Sequence, residues 1–500
     1  ATGIVLALGR AALSAGRLLD AARGPYLAAL AFAATLGWYN YYQFDGKVFS
    51  DINDFTDTAY YYTNSKYLAE LDYDGLYAGA LLCDSERGSP RTKHVRTFRD
   101  LRNDALYTLP QALEHGREVR KAFSDERWAG FCHDIEYFLD RLSKKALASN
   151  FFVDHGYNPP PTWTLVGGNL ALVVDVEHLK WICHVDTALI ALMLGVLWWG
   201  LGLETMLFAS LFFTATFSGR WPILGMAITR FDWVVALVIG WVLLKKEQYA
   251  GAAAAMTYAA LNRVFPAIFF WGWAVEAVTE TWRTRKLARK HVVFAATAVV
   301  VGGLMVGAAA AEYGPSTLVS SAQQLKLHNQ SFSSHRVGLA TTIVWDGEIT
   351  RDEINEHGGM RTKELRVQAM MPWLRGVAVL VLAAIAAYGF RTNRRAHDLV
   401  PLVMLAFFCA TTPQVNYYNL RLVPLSWHAS KLDQRRHVLL LSLLLAVEVA
   451  AQAAHVVKWD RFTVNAVSSV GLLVYFAALV GVMAWEAIGG VKAEESSPLA

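Results

Sequence analysis

Three carboxylates recur at every third position in the run Ser50-Asp51-Ile52-Asn53-Asp54-Phe55-Thr56-Asp57. On a helix that spacing sets Asp51, Asp54 and Asp57 along one face. Acids held that close repel one another, and a bound cation or substrate offsets the repulsion. Such a cluster suits two chemistries: removal of a proton from a hydroxyl as general base, or retention of a divalent cation. The plainer account is an acidic helix start, with Asp51 as cap and its neighbours complementing the dipole. The chain continues into Tyr60-Tyr61-Tyr62-Thr63-Asn64-Ser65-Lys66-Tyr67. Aromatic rings there suit anchoring in the headgroup plane or stacking on a sugar. Tyr61 and Lys66 are therefore candidate substrate contacts.

A second set of residues is basic. Arg263, in Leu261-Asn-Arg-Val-Phe-Pro266, falls between two short apolar runs. A charge at membrane depth normally faces a cavity and a partner, and a guanidinium grips a phosphate through paired hydrogen bonds. Snorkelling to the headgroups, or an ion pair with Asp232, would satisfy Arg263 equally well. His328, His335 and Arg336 crowd one nine-residue stretch and suit phosphate or hydroxyl contacts, as do Tyr417 and Arg421 in Gln414-Val-Asn-Tyr-Tyr-Asn-Leu-Arg421. His184, Asp186 and Glu204 sit in or beside apolar runs and could form a proton path, which keeps a secondary transporter open. No phosphate-binding loop, dinucleotide fingerprint, haem motif or nucleophile elbow is present.

The elements that must position these groups follow from composition. Of 500 residues, 54% are hydrophobic and only 18% are charged, with 17 Trp, 20 Tyr and 25 Phe. That balance is shifted toward lipid, and it excludes disorder. The net charge is only +4, and the basic residues come in short clusters between apolar runs, so no nucleic-acid surface is expected. The reading is an all-α polytopic membrane protein. An apolar run at 24–44, six more between 180 and 311, and five between 371 and 488 give twelve expected spans. The basic clusters at Lys245-Lys246, Arg283–Lys290, Arg391–Arg395 and Lys431–Arg436 belong on the cytoplasmic side. Twelve spans with both ends inside satisfies all four. Residues 1–23 then form a cytoplasmic lead-in and 489–500 a cytoplasmic tail. Two long segments lie outside: 45–179, expected to be helical and amphipathic, and the polar 312–370. Cys83 and Cys132 share the first, where a disulfide is open to them in an oxidising compartment.

An acidic motif just after the first span, an amphipathic helix and then many spans resembles the GT-C superfamily of integral-membrane glycosyltransferases. Within it, Phe217-Ser-Gly-Arg-Trp-Pro222, an apolar span to Lys245-Lys246, Ala250-Gly251 and Ala260-Leu-Asn-Arg-Val-Phe-Pro266 look like the polyprenyl-phosphate-sugar-dependent mannosyltransferase-like branch. Two positions depart from that pattern: Arg220 replaces the usual Gln after Gly219, and Arg263 stands where Lys is common. The resemblance implies a GT-C-like bundle and inverting transfer of a sugar from a polyprenyl-phosphate donor to a glycan, lipid or protein acceptor. The site would face the outside of a bacterial inner membrane. Asp54 or Asp57, backed by Asp51, would be the base, and Arg263 would hold the donor phosphate, with Arg220 close by. No cofactor is implied beyond a divalent cation at the carboxylates. The rivals are a secondary transporter and a non-catalytic membrane subunit of a larger assembly.

Overall fold

The structure is a computed structural model that describes residues 1–16, 19–42, 55–88, 90–219, 228–351 and 359–489. Asp51, Asp54 and Arg220 lie outside these residues. The described chain is almost wholly helical, and its only sheet is a hairpin in which Phe98–Asp100 pairs antiparallel with Ala105–Tyr107.

The first long polar segment folds into a helical domain whose aromatic interior is continuous with that of the bundle. Its helices start where the sequence supplies caps. Ser124 accepts from the Arg127 amide at the head of Asp125–Arg141, Ser143 does the same for Ala146, and Thr108 with Gln111 forms a capping box. A Cys83–Cys132 disulfide ties Leu76–Glu86 to Asp125–Arg141. Aromatic rings fill the interior: Tyr60 stacks on Phe151 at 5.1 Å, and Phe98, Phe131, Phe138 and Phe152 are fully buried. Each such ring contributes about 1.5–3 kcal/mol of burial. Tyr60 and Tyr62 belong to this core rather than to a membrane surface, and their hydroxyls donate to the carbonyls of Phe151 and Val174. The aromatic run therefore packs the domain instead of anchoring it in headgroups. It does so as one turn of π-helix, Tyr60–Asn64.

Five helices among the described residues, not twelve, are long and apolar enough to cross a membrane: Val176–Leu201, Arg289–Tyr313, Gly359–Thr392, Arg435–Val456 and Arg461–Ile488. Only 11% of the apolar stretch of Arg289–Tyr313 is buried by protein, so its remaining surface needs lipid. The other apolar runs make shorter pieces. Leu203–Ala215, Asp232–Lys245, Tyr249–Arg263 and Phe270–Thr284 have 13–15 residues. At about 1.5 Å per residue they fall short of a hydrocarbon core of about 30 Å. Val400–Val403 and Val415–Arg421 are 3₁₀ turns that interrupt two further runs. An apolar run reports only that water is excluded, and here protein excludes it: Trp241, Val238 and Met256 are completely buried. Leu19–Tyr41 has the length of a span, but it begins with Asp20 and Arg23 and ends in Trp38-Tyr39-Asn40-Tyr41. The expected lead-in is also helical, and Thr2–Ala15 packs on Arg435–Val456, with Gly3 against Leu445 and Leu211.

The bundle has two chemically distinct ends. At one, Arg395 pairs with Glu247, Lys431 with Asp398, Arg394 and Arg436 with Glu486, and Arg283 donates to the Phe390 carbonyl. These contacts gather all four basic clusters on one face. At the other end, Ser320 donates to Asp72 and Gln324 to the His155 carbonyl, joining the second polar segment to the first domain.

Candidate functional site

A cavity of about 410 Å³ opens at the end that carries both polar segments. Arg263, Arg336, Arg375 and His328 line it, and among the described residues no carboxylate does. The rest of the lining divides into polar groups such as Asn158, Ser321 and Thr412, and an apolar side that includes Phe265, Phe332, Val367, Met371 and Phe407. The lining is cationic and amphiphilic.

Arg263 arrives there through a helix that stops abruptly. Tyr249–Arg263 ends at Val264, whose φ of 50° is left-handed, and Phe265–Phe269 continues as a 3₁₀ turn. For a β-branched residue that backbone is strained, by about 1–3 kcal/mol. The bend leaves Arg263 as the last helical residue, where a cation also complements the dipole. Its side chain is 8% exposed. Nη1 donates to the Asn262 carbonyl at 3.3 Å and Nη2 to the Tyr61 hydroxyl at 3.4 Å, both long, while Nε has no partner. The expected alternative of an ion pair with Asp232 is not made: that carboxylate accepts from Tyr258 and Asn262 instead.

Arg336 is 5% exposed and also lacks an ion-pair partner among the described residues. It donates to the Thr412 carbonyl at 3.1 Å, the Ser331 hydroxyl at 3.1 Å and, more weakly, the His328 carbonyl at 3.5 Å; Nε is again unpartnered. Burial pulls its guanidinium down to about 10, still charged at neutral pH. Burial, then the Arg336 charge, pushes His328 down to about 3, so the imidazole is neutral. A short backbone pairing explains why two separate motifs meet here. Arg336 bridges Gln414, the Val337 amide donates to the Pro413 carbonyl, and the Val415 amide donates to the His335 carbonyl. That pairing puts Tyr417 on the cavity wall, within electrostatic reach of both Arg263 and Arg336.

Behind Arg263 stands a layer that leads to the acidic motif. Tyr61 lies 5.7 Å from the Arg263 guanidinium and 5.5 Å from that of Arg230, and packs edge-on against Trp163 at 5.2 Å. Arg230 forms an ion pair with Asp57. Asp57 thus reaches Arg263 through Arg230 and Tyr61 and is not itself a lining residue. The π-helical turn that carries Tyr61 is a feature enriched at functional sites.

Other candidates stand elsewhere. Lys66 pairs with Asp134 at 2.8 Å in the helical domain. Arg421 is enclosed in the bundle in an ion pair with Glu448, whose other oxygen accepts from Thr216 and Phe217. His335 meets Arg461 at 2.6 Å and is not a lining residue. Two of the groups that kept a proton path open, Asp186 and Glu204, hold neighbouring elements together. Asp186 accepts from the Arg230 and Phe231 amides, and Glu204 holds Tyr26 and Arg10. Among the described residues one acid–histidine group is close enough to share an ion: Glu276, Glu280 and His291. Lys290 already sits among them, 2.9 and 2.6 Å from the two carboxylates, as the cation. Of the expected cation site only Asp57 is described, and its partner there is Arg230.

Sequence reasoning passed over Arg230, Arg375 and Trp163. Arg230 carried a usable signal, as a lone cation two residues before Asp232 at the start of an apolar run. Comparison with known proteins adds no constraint: no family model, no curated protein and no solved structure matches the chain.

Proposed function

We propose that this membrane-embedded protein transfers a sugar from a polyprenyl-phosphate donor to an acceptor hydroxyl at the outer face of the membrane. One observation carries the reading: a cavity whose lining, among the described residues, holds three arginines, no carboxylate and an apolar side. An anionic headgroup on a lipid chain matches both halves. Phosphate would satisfy the unpartnered Arg263 Nε through a charge-assisted hydrogen bond, and the lipid chain would lie along Phe332, Val367 and Met371. In the reaction the acceptor oxygen attacks the anomeric carbon as the bond to the phosphate oxygen breaks. The leaving phosphate takes the electron pair beside Arg263, and the acceptor proton passes to a carboxylate of the 51–57 cluster. Arg230 would fix the direction of Asp57 through their ion pair. Orientation is supported by the Cys83–Cys132 bridge, which belongs in an oxidising compartment, and by the basic clusters at the opposite end.

The test is transfer of labelled sugar from a polyprenyl-phosphate donor pool by the purified protein. General-base assistance is typically worth about 10²–10⁴-fold. Asp57→Asn and Asp54→Asn should therefore bring one of the two down by that factor while both proteins remain folded. Unchanged turnover in both single variants and in the double variant would remove the carboxylates from the chemistry.

A further inference from the structure

We propose that the cavity is built for a ligand with two separate anionic groups, one held by Arg263 and the second by Arg336. The inference deepens the lipid-phosphate reading and rests on it for the identity of the first anion. It starts from a count of charges. Buried guanidiniums are normally matched by carboxylates, because an unmatched charge out of water is costly. Elsewhere in the bundle the rule holds: the buried Arg421 has Glu448, and the half-buried cations Arg436 and Lys431 have Glu486 and Asp398. Among the described residues Arg263 and Arg336 break it together, on one cavity, each more than nine-tenths buried and each with an unpartnered Nε.

The two arginines come from different parts of the wall: Arg263 from the end of an inner helix against Tyr61 and Trp163, Arg336 from the second polar segment against Thr412 and Ser331. Tyr417 lines the cavity with both. Arg336 also has a companion that points to a polar ligand, since the His328 Nδ1 is buried without a partner. Arg375 is exposed on the long helix Gly359–Thr392 and lines the same cavity with no carboxylate partner among the described residues, which suits a cation that draws an anionic headgroup in from the lipid.

The second anion has two chemical sources: a second phosphate on the lipid, or a carboxylate on the sugar. Binding to the full chain in nanodiscs separates them without requiring transfer. One pair of probes is a polyprenyl monophosphate against a polyprenyl diphosphate of equal chain length. The other is a polyprenyl phosphate bearing glucose against the same lipid bearing glucuronate. Wild type should favour the dianionic member of one pair by about ten- to a hundredfold, the range of a charge-assisted contact. Arg336→Gln should abolish that preference while leaving the monoanionic affinity within about twofold, and Arg263→Gln should weaken both members. If Arg336→Gln does not fold, Arg336→Lys keeps the charge without the fork and should lose part of the preference. Equal wild-type affinity within both pairs, or a preference indifferent to Arg336, overturns the inference. Dianion binding without transfer would uphold it and remove the transferase; transfer with no dianion preference would do the reverse.

Discussion

Replacing Arg263 with Met should make the protein bind lipid phosphate less tightly without making it less stable. The two effects are computed from the same geometry. On the stability side, Met removes two hydrogen bonds at the long end of the range, 3.3 and 3.4 Å, and cation–π contacts at 5.7 and 5.9 Å. Together these are worth about 1–3 kcal/mol. Against that, a buried guanidinium without a carboxylate among the described residues disappears, and an unmatched charge held out of water costs several kcal/mol. The balance lies between about zero and a gain of a few kcal/mol. On the binding side, a charge-assisted contact to phosphate is lost, about 1.5–3 kcal/mol. At about 1.4 kcal/mol per factor of ten, that is roughly a 10- to 150-fold weaker Kd. The assay is a pair of measurements on one detergent preparation: the melting temperature without ligand, and a titration with polyprenyl monophosphate. Arg263→Lys should fall between wild type and Met in affinity, since Lys keeps the charge but not the bidentate geometry. A Met variant that melts several degrees lower and binds the lipid as wild type does would refute the reasoning and make Arg263 a structural residue.

Three further outcomes follow. Glu448→Gln should destabilise by about 3–5 kcal/mol, because it strands the buried Arg421 charge, and should leave lipid affinity intact; weakened binding with an unchanged melting temperature would return Arg421 to the site. Removing the Cys83–Cys132 bridge frees a 49-residue separation, worth about 4 kcal/mol in the chain-entropy account, so the Cys83→Ser, Cys132→Ser double variant should lose protease resistance in the first domain, and equal digestion rates would contradict that. His328 is held near 3 in the fold against 6.5 when unfolded, so its contribution is full above pH 6.5 and declines as acid protonates the unfolded chain first; the melting temperature should drop between pH 7 and pH 5 more in wild type than in His328→Asn, and parallel curves would remove His328 from the account.

The sequence by itself determined that the chain is helical and membrane-embedded, that its basic clusters share one face, and that Arg263 has no ordinary place in lipid. These follow from local chemistry. Apolar runs must leave water, Lys and Arg clusters must stay in it, and a lone guanidinium between apolar runs needs a partner. How many runs cross the bilayer was not legible, because protein and lipid exclude water alike; Asp232–Lys245 and Tyr249–Arg263 read as spans yet are short helices enclosed by the bundle. Nor could spacing tell which polar residues converge. Arg421 and Lys66 belong to types and positions as suitable as those of Arg336 and Tyr61, yet each faces a carboxylate from a distant part of the chain, Glu448 and Asp134. Arg336 meets the cavity only because residues 335–337 pair with 413–415, a contact across nearly eighty residues that no local pattern encodes. The presence of charge is written in the sequence, but whether that charge is already neutralised or still faces a ligand depends on which strangers the fold brings beside it.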